Sequence, residues 1–287
     1  MKTRMLSSAL IGLSLVLVLT AGAGASSQAV TQVNISAGMS PKQEVPAPTA
    51  SASAATGAFT GTVTATGNGA DFTWKLVFAS LTGPAAAAHL HVAPRKEAGP
   101  IIVPLCAPCT NNQTGRGHLT PGDVSALRAG RVYVNIHTAA NPNGEVRGQI
   151  DIVDKQEVTM TAGQEIPRPK GVNFRQAKGG FTVTVTREGL LTTMRWRLGW
   201  FGLTGKPTAA HLHLGARGKQ GAVIVFLCGT VKHPCLKDRG AVTKLSAAQA
   251  QALEKGNIYV NIHTKRNPGG EVRGQLRPAR LWIRAQG

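Results

Sequence analysis

The feature that most constrains the fold is a long internal repeat. Ala88-His89-Leu90-His91 recurs as Ala210-His211-Leu212-His213, an offset of 122 residues. Phe59-Thr60, Trp74, Leu81-Thr82-Gly83 and Cys106 recur at the same offset as Phe181-Thr182, Trp196, Leu203-Thr204-Gly205 and Cys228. Further on, Tyr133-Val-Asn-Ile-His137-Thr138 and Gly144-Glu-Val-Arg-Gly-Gln149 return as Tyr259-Val-Asn-Ile-His263-Thr264 and Gly270-Glu-Val-Arg-Gly-Gln275, now offset by 126. The second copy therefore carries four extra residues after its first cysteine. An earlier marker, Gln43-Glu44 against Gln164-Glu165, lies at 121. A period of this size signals two tandem domains rather than a solenoid, whose repeats run to about 20–50 residues. The junction falls near Ile152–Gln156.

Inside each copy the apolar pattern is short and alternating. Phe59, Val63 and Ala65 alternate with threonines, as do Phe181, Val183 and Val185. That period of two marks half-buried strands. Trp74–Phe78, Ile101–Leu105, Val132–His137 and Glu145–Ile150 add further strands, separated by turns such as Asn141-Pro-Asn-Gly144. Thr120 and Pro121 open one short helix that Gly130 closes, with a counterpart from Ser246 to Gly256. The expected fold is all-β: two tandem antiparallel β-sandwich or Greek-key barrel domains, each with one short helix in a connection.

The first residues set the compartment. Lys2 and Arg4 precede an apolar run to about Leu19, and Ala21, Ala23 and Ala25 supply small residues for cleavage, the pattern of a secretory leader. The run is short for a membrane span. The expected division is a signal peptide at 1–25, a linker at 26–34, β domains at 35–152 and 153–280, and a tail at 281–287. Export to the periplasm, cell envelope or cell surface follows. Removing Lys2 and Arg4 lowers the net charge from +19 to +17. Such a charge suits nucleic acid, an acidic envelope surface or a small anion. Export and the lack of a nucleic-acid motif argue against the first.

Cys106-Ala-Pro-Cys109 occupies the same loop as Cys228 and Cys235, and in an exported protein two local disulfides are the simplest pairing. A redox CxxC is the competing reading, without the βαβ context it needs. Six of the eight histidines fall in the repeated motifs. His89 and His91 share one face of a strand, opposite the core residues Leu90 and Val92, and His211 and His213 repeat this. Alternation also turns His137, Glu145, Arg147 and Gln149 away from the core. A lone histidine is ordinarily a plain hydrogen-bonding residue, but three at matched positions in two copies form a metal-ligand pattern: His89, His91, His137 and His211, His213, His263. Neutral imidazole suits copper or zinc and leaves an open position. Glu145 and Glu271 are placed to orient a ligand or to pair with Arg147 and Arg273.

At these residues the chain resembles a tandem of CHRD (chordin-type) domains, from Gln43-Glu-Val-Pro46 through Gly144-Glu-Val-Arg-Gly-Gln149 and again in the second copy. A second resemblance is to the copper site of Cu/Zn and copper-only superoxide dismutases. It implies a β-barrel, a His-x-His pair, a later strand histidine, a nearby arginine and a disulfide in a long loop. His89, His91, His137 and Arg147, with His211, His213, His263 and Arg273, match those roles. The zinc subloop is missing, and His118, a candidate fourth ligand, aligns with Lys244. The resemblance therefore implies copper, one ion per domain, without zinc.

The expected function is that of an exported copper protein that consumes superoxide. Arg147 and Arg273 would be catalytic residues holding the anion, and the net positive charge would steer it in. The alternative is a non-enzymatic envelope module whose basic surface docks on an acidic envelope component or an envelope protein complex. A zinc hydrolase is disfavoured because the histidine motifs bring no general base. No transmembrane span is expected beyond the leader.

Overall fold

The computed structural model describes residues 32–237 and 239–281. The leader and the last six residues lie outside the described residues. Domain one contains β1 (Gln32–Met39), β2 (Thr56–Thr66), β3 (Gly69–Ala79), β4 (Ala85–Val92), β5 (Ile101–Cys106), β6 (Gln113–Leu119), α1 (Pro121–Arg128), β7 (Val132–Thr138) and β8 (Val146–Gln149). Then come β9 (Asp151–Thr161), β10 (Lys178–Glu188), β11 (Leu191–Phe201), β12 (Pro207–Leu214), β13 (Val223–Cys228), β14 (Arg239–Leu245), α2 (Ala247–Glu254), β15 (Ile258–Thr264) and β16 (Val272–Gln275). Every described pairing is antiparallel. The all-β, two-domain fold with one short helix per copy is as expected.

Each domain is a sandwich of two sheets. In domain one, β1-β2-β3-β6 packs against β5-β4-β7-β8; in domain two, β9-β10-β11-β14 packs against β13-β12-β15-β16. The alternation explains the packing. Phe59, Leu76, Leu90, Val134 and Ile136 point between the sheets and are at most 1 % exposed. Phe59 stacks on Trp74, and Phe181 on Trp196, at the same place in each core. The helices are held by capping boxes: the Thr120 hydroxyl accepts from the Asp123 N–H, and the Ser246 hydroxyl from the Gln249 N–H. In each domain the two sheets touch at one corner, at Ser40 against Arg147 and at Thr161 against Arg273.

The junction is a strand and not a linker. Ile152 and Val153 of β9 pair with β1 on one edge and with β10 on the other, so the outer sheets of both domains run on as one. Arg95 bonds Glu188 and faces Asp151 across this boundary. The segment after β16 closes the second core: Leu276 and Ala279 donate to Ile258 and Leu253, and Leu281 is buried. Both cysteine pairs are disulfides, Cys106–Cys109 and Cys228–Cys235, and no cysteine is free. No described helix is long and apolar enough to cross a membrane.

The residues that face away from the core are covered in their turn. Glu145, Arg147 and Gln149 do turn away from the sandwich core, yet they are 0 %, 1 % and 3 % exposed. A second layer covers them: the end of β1 runs into Ser40–Glu44 over β8, and the 93–99 loop folds down so that Ala93, Pro94 and Glu97 offer carbonyls to them. A period-two pattern reports which side faces the core, and says nothing of what later lies on the other side.

Candidate metal centre

β4 and β7 are neighbours in the inner sheet, so their outward side chains meet. The register sets His89 opposite Asn135 and His91 opposite Tyr133, while His137 faces Ala87. His89 Nδ1 lies 3.1 Å from His137 Nε2. His91 Nδ1 donates to the Gly99 carbonyl at 2.9 Å, and His137 Nδ1 to the Pro142 carbonyl at 2.9 Å. Each carbonyl fixes a tautomer and turns the bare Nε2 of its ring inward. The nitrogens offered by the three rings all lie within 4.8 Å of one another. Two ligands at about 2.0–2.1 Å from one metal stand about 3–4 Å apart, so the spacing suits a single ion.

Domain two repeats the arrangement closely. His211 Nδ1 lies 3.0 Å from His263 Nε2, and His213 and His263 donate their Nδ1 hydrogens to Gly221 and Pro268. Its three nitrogens also fall within 4.8 Å of one another. The fit to a metal rests on an orphaned atom. The Nε2 atoms of His91 and His213 are buried and have no hydrogen-bond partner. Burying such a polar atom unpaired is costly, and a metal ion at the centre of the trio would satisfy it.

The electrostatics favour neutral rings. Burial, reinforced by the neighbouring imidazoles His137 and His91, lowers the pKa of His89 to about 4. Burial likewise lowers His91 and His137. In domain two His211 falls to about 4 through burial and the charges of His263 and His213, and burial lowers His263. Near neutral pH these rings keep lone pairs free for a Lewis acid.

Behind the trio stands a stack absent from the sequence reading. The His91 ring lies on Tyr133, with centroids 4.8 Å apart and planes 11° from parallel, and the Arg147 guanidinium sits over the same phenol at 3.5 Å. Because β7 runs between β4 and β8, Tyr133 separates the two. Arg147 donates to the carbonyls of Glu97 and Pro94 and to Gln149, so it is brought beside the trio but not into it. Arg273 lies 3.4 Å over Tyr259 in the same way and bonds Ala216 and Gln275. Glu145 makes no ion pair with Arg147 among the described residues. Its carboxylate accepts from Thr82, Thr138 and Asn141, and Glu271 accepts from Thr204, Thr264 and Asn267. His118 lies on β6, on the other sheet, bonded to Asp71, and is no part of the trio.

Four further positions complete the site and were not singled out by chemistry. Asn135 and Asn261 are buried between trio residues with unpartnered side-chain oxygens, and Glu44 and Glu165 lie beside them, each with one unpartnered carboxylate oxygen. Burial raises both carboxyls to about 7. Gly144 at φ +124° admits this layer, since a Cβ there would stand 2.5 Å from the Glu44 carboxyl carbon. All of these recur in both copies, which is the signal that marked them.

A family model for the CHRD domain matches residues 35–150 and again residues 157–276. The chain belongs to the CHRD-domain family. Each CHRD domain contains one complete histidine trio, so the duplication of the domain duplicates the candidate site. Neither a curated protein nor a solved structure matches the chain.

Proposed function

We propose that each CHRD domain binds one copper ion through its trio, and that the exported protein uses the pair to consume superoxide. The observation that carries this is the convergence, in both copies, of three histidine nitrogens on one point with no carboxylate among them. Copper supplies one-electron chemistry that zinc, with a single accessible oxidation state, does not. The chain's own part is to hold the rings: the Gly99 and Pro142 carbonyls fix two tautomers, and Tyr133 with Arg147 braces His91 from behind. With three protein ligands, a fourth position stays open to a small anion. In this reading Arg147 and Arg273 contribute positive potential from behind a ring, alongside the field of the whole chain.

The test is metal analysis and electron paramagnetic resonance of the copper-loaded protein, followed by superoxide consumption by the wild type and by a variant with His89, His91, His211 and His213 changed to Ala. Tight copper and loss of activity in the variant are expected; no bound copper, or unchanged activity, overturns the reading.

A second reading, a non-enzymatic module held on the cell envelope, is favoured by the basic outer sheet surface, where Lys75, Arg116 and Lys155 line one groove that no carboxylate residue lines. It predicts envelope retention that is lost near 1 M salt, where the Debye length is about 3 Å.

A further inference from the structure

The outer surface of the joined sheet has an order that neither copy shows alone. Across domain one, Arg116 on β6 faces Thr73, Thr73 faces Thr62, and Thr62 faces Asn34. Asn34 faces Val153 on the shared strand, and beyond the junction the same line continues through Thr186 and Thr193 to Lys244 on β14. Paired residues in an antiparallel sheet point to the same side, so this is one row over eight strands. At about 4.8 Å per strand it spans about 34 Å. Its residues are hydroxyl or amide bearing except for Val153, with a cation at each end. In the neighbouring rows Lys75 faces Thr60, and Lys155 faces Thr184, which faces Arg195.

Over the domain-one half and the junction the surface is concave, a groove of about 770 Å³ lined by Lys75, Arg116 and Lys155 among threonines. None of the large hydrophobic side chains exposed elsewhere on the protein lines it. The acids that face the same side are mostly engaged: Asp71 by His118, and Asp151 and Glu188 by Arg95. Glu157 stands on the outer side of β9, opposite Thr182.

We infer that this row is a binding track for an extended anionic polysaccharide, with Lys75, Arg116 and Lys155 on its acidic groups and the threonine hydroxyls on its sugar hydroxyls. The inference rests on the envelope reading and is independent of copper. A linear polymer matches a continuous row longer than one domain, and acidic substituents match three cations in a trough that no carboxylate lines. A lipid surface fits less well, because Ile35 and Trp74, which line the trough, are themselves buried, and none of the exposed large hydrophobic side chains stands there to insert.

The experiment measures binding of the full-length mature protein to polygalacturonate, to neutral dextran and to vesicles containing phosphatidylglycerol. Three proteins are compared: wild type, a groove variant (Lys75→Ala, Arg116→Ala, Lys155→Ala), and a control that removes equal charge elsewhere (Lys96→Ala, Lys219→Ala, Lys232→Ala). Circular dichroism confirms that each is folded. Polygalacturonate binding is expected to weaken about tenfold or more in the groove variant and less than about twofold in the control. Replacing Thr60 and Thr62 by Val, which keeps the β-branched shape, is expected to weaken binding further. Equal losses in groove and control variants overturn the track while leaving envelope attachment by net charge. Tighter binding to vesicles than to polygalacturonate overturns it in favour of a membrane. No binding to either polymer or vesicle removes the envelope reading as well.

Discussion

Arg147 holds its guanidinium carbon 3.5 Å from the centre of the Tyr133 ring, and that ring lies between Arg147 and the trio residue His91. The contact is buried, and the guanidinium also satisfies the carbonyls of Pro94 and Glu97. Arg147→Leu removes the side-chain donor to the Glu97 carbonyl and one of two donors to the Pro94 carbonyl, with the stack on Tyr133, and is expected to destabilise the protein by about 2–4 kcal/mol. Arg147→Lys should not recover this, since a lysine cannot stack and bond in the same fork. Urea denaturation of the two variants checks it; a wild-type midpoint for Arg147→Lys would show that charge alone suffices.

The two trios are separate, so their occupancies should be too. Wild type is expected to bind two copper ions per chain, His89→Ala with His91→Ala one, and the fourfold variant none, by elemental analysis after dialysis. Burial and the neighbouring imidazoles lower His89 and His211 to about 4, so protons should compete little with the ion near neutral pH. Loss of both ions in the His89→Ala, His91→Ala variant would mean that the sites are coupled.

Glu44 and Glu165 carry carboxyls raised to about 7 by burial, against about 4.3 in an unfolded chain. A raised carboxyl gives stability that is fully present below the unfolded value and is lost as the pH climbs to the folded one. Glu44→Gln with Glu165→Gln removes that dependence. The variant should match wild type near pH 4 and melt several degrees higher at pH 8, as calorimetry at the two values would show. An equal offset at both would refute it.

Arg277 bonds Asp154 at 2.6 Å, and Asp154 is 2 % exposed. Arg277→Met removes the only cation from a buried carboxylate, leaving it the Gln156 amide alone among the described residues, and is expected to cost about 3 kcal/mol. Because Asp154 lies on the shared strand, the fluorescence of Trp74 and Trp196 should report the loss together. A shift confined to one tryptophan would show that the domains unfold apart.

The repeat and the alternation made the fold and the six histidines legible, because His-x-His on a strand has only one geometry and duplication removed coincidence. What lies over a sheet was not legible. Glu145 and Arg147, two apart and both facing away from the core, read as a residue that orients a ligand or pairs with its neighbour, yet each is claimed by a different loop, Glu145 by the Thr82 and Asn141 turns and Arg147 by the 93–99 loop. Glu44 was visible only as a repeat marker, since its burial depends on the chain folding back over β8. The shared strand was equally hidden: one stretch near Ile152 pairing on both edges looks, in sequence, like any other strand.

That strand also decides how the molecule answers to force. A tandem joined by a loose tether extends before either domain feels a load, and its two sites wander relative to each other. Here the domains are seamed by hydrogen bonds along both edges of β9, so bending one against the other means shearing a sheet. The two histidine trios thus belong to domains joined through one continuous sheet and not to two tethered bodies.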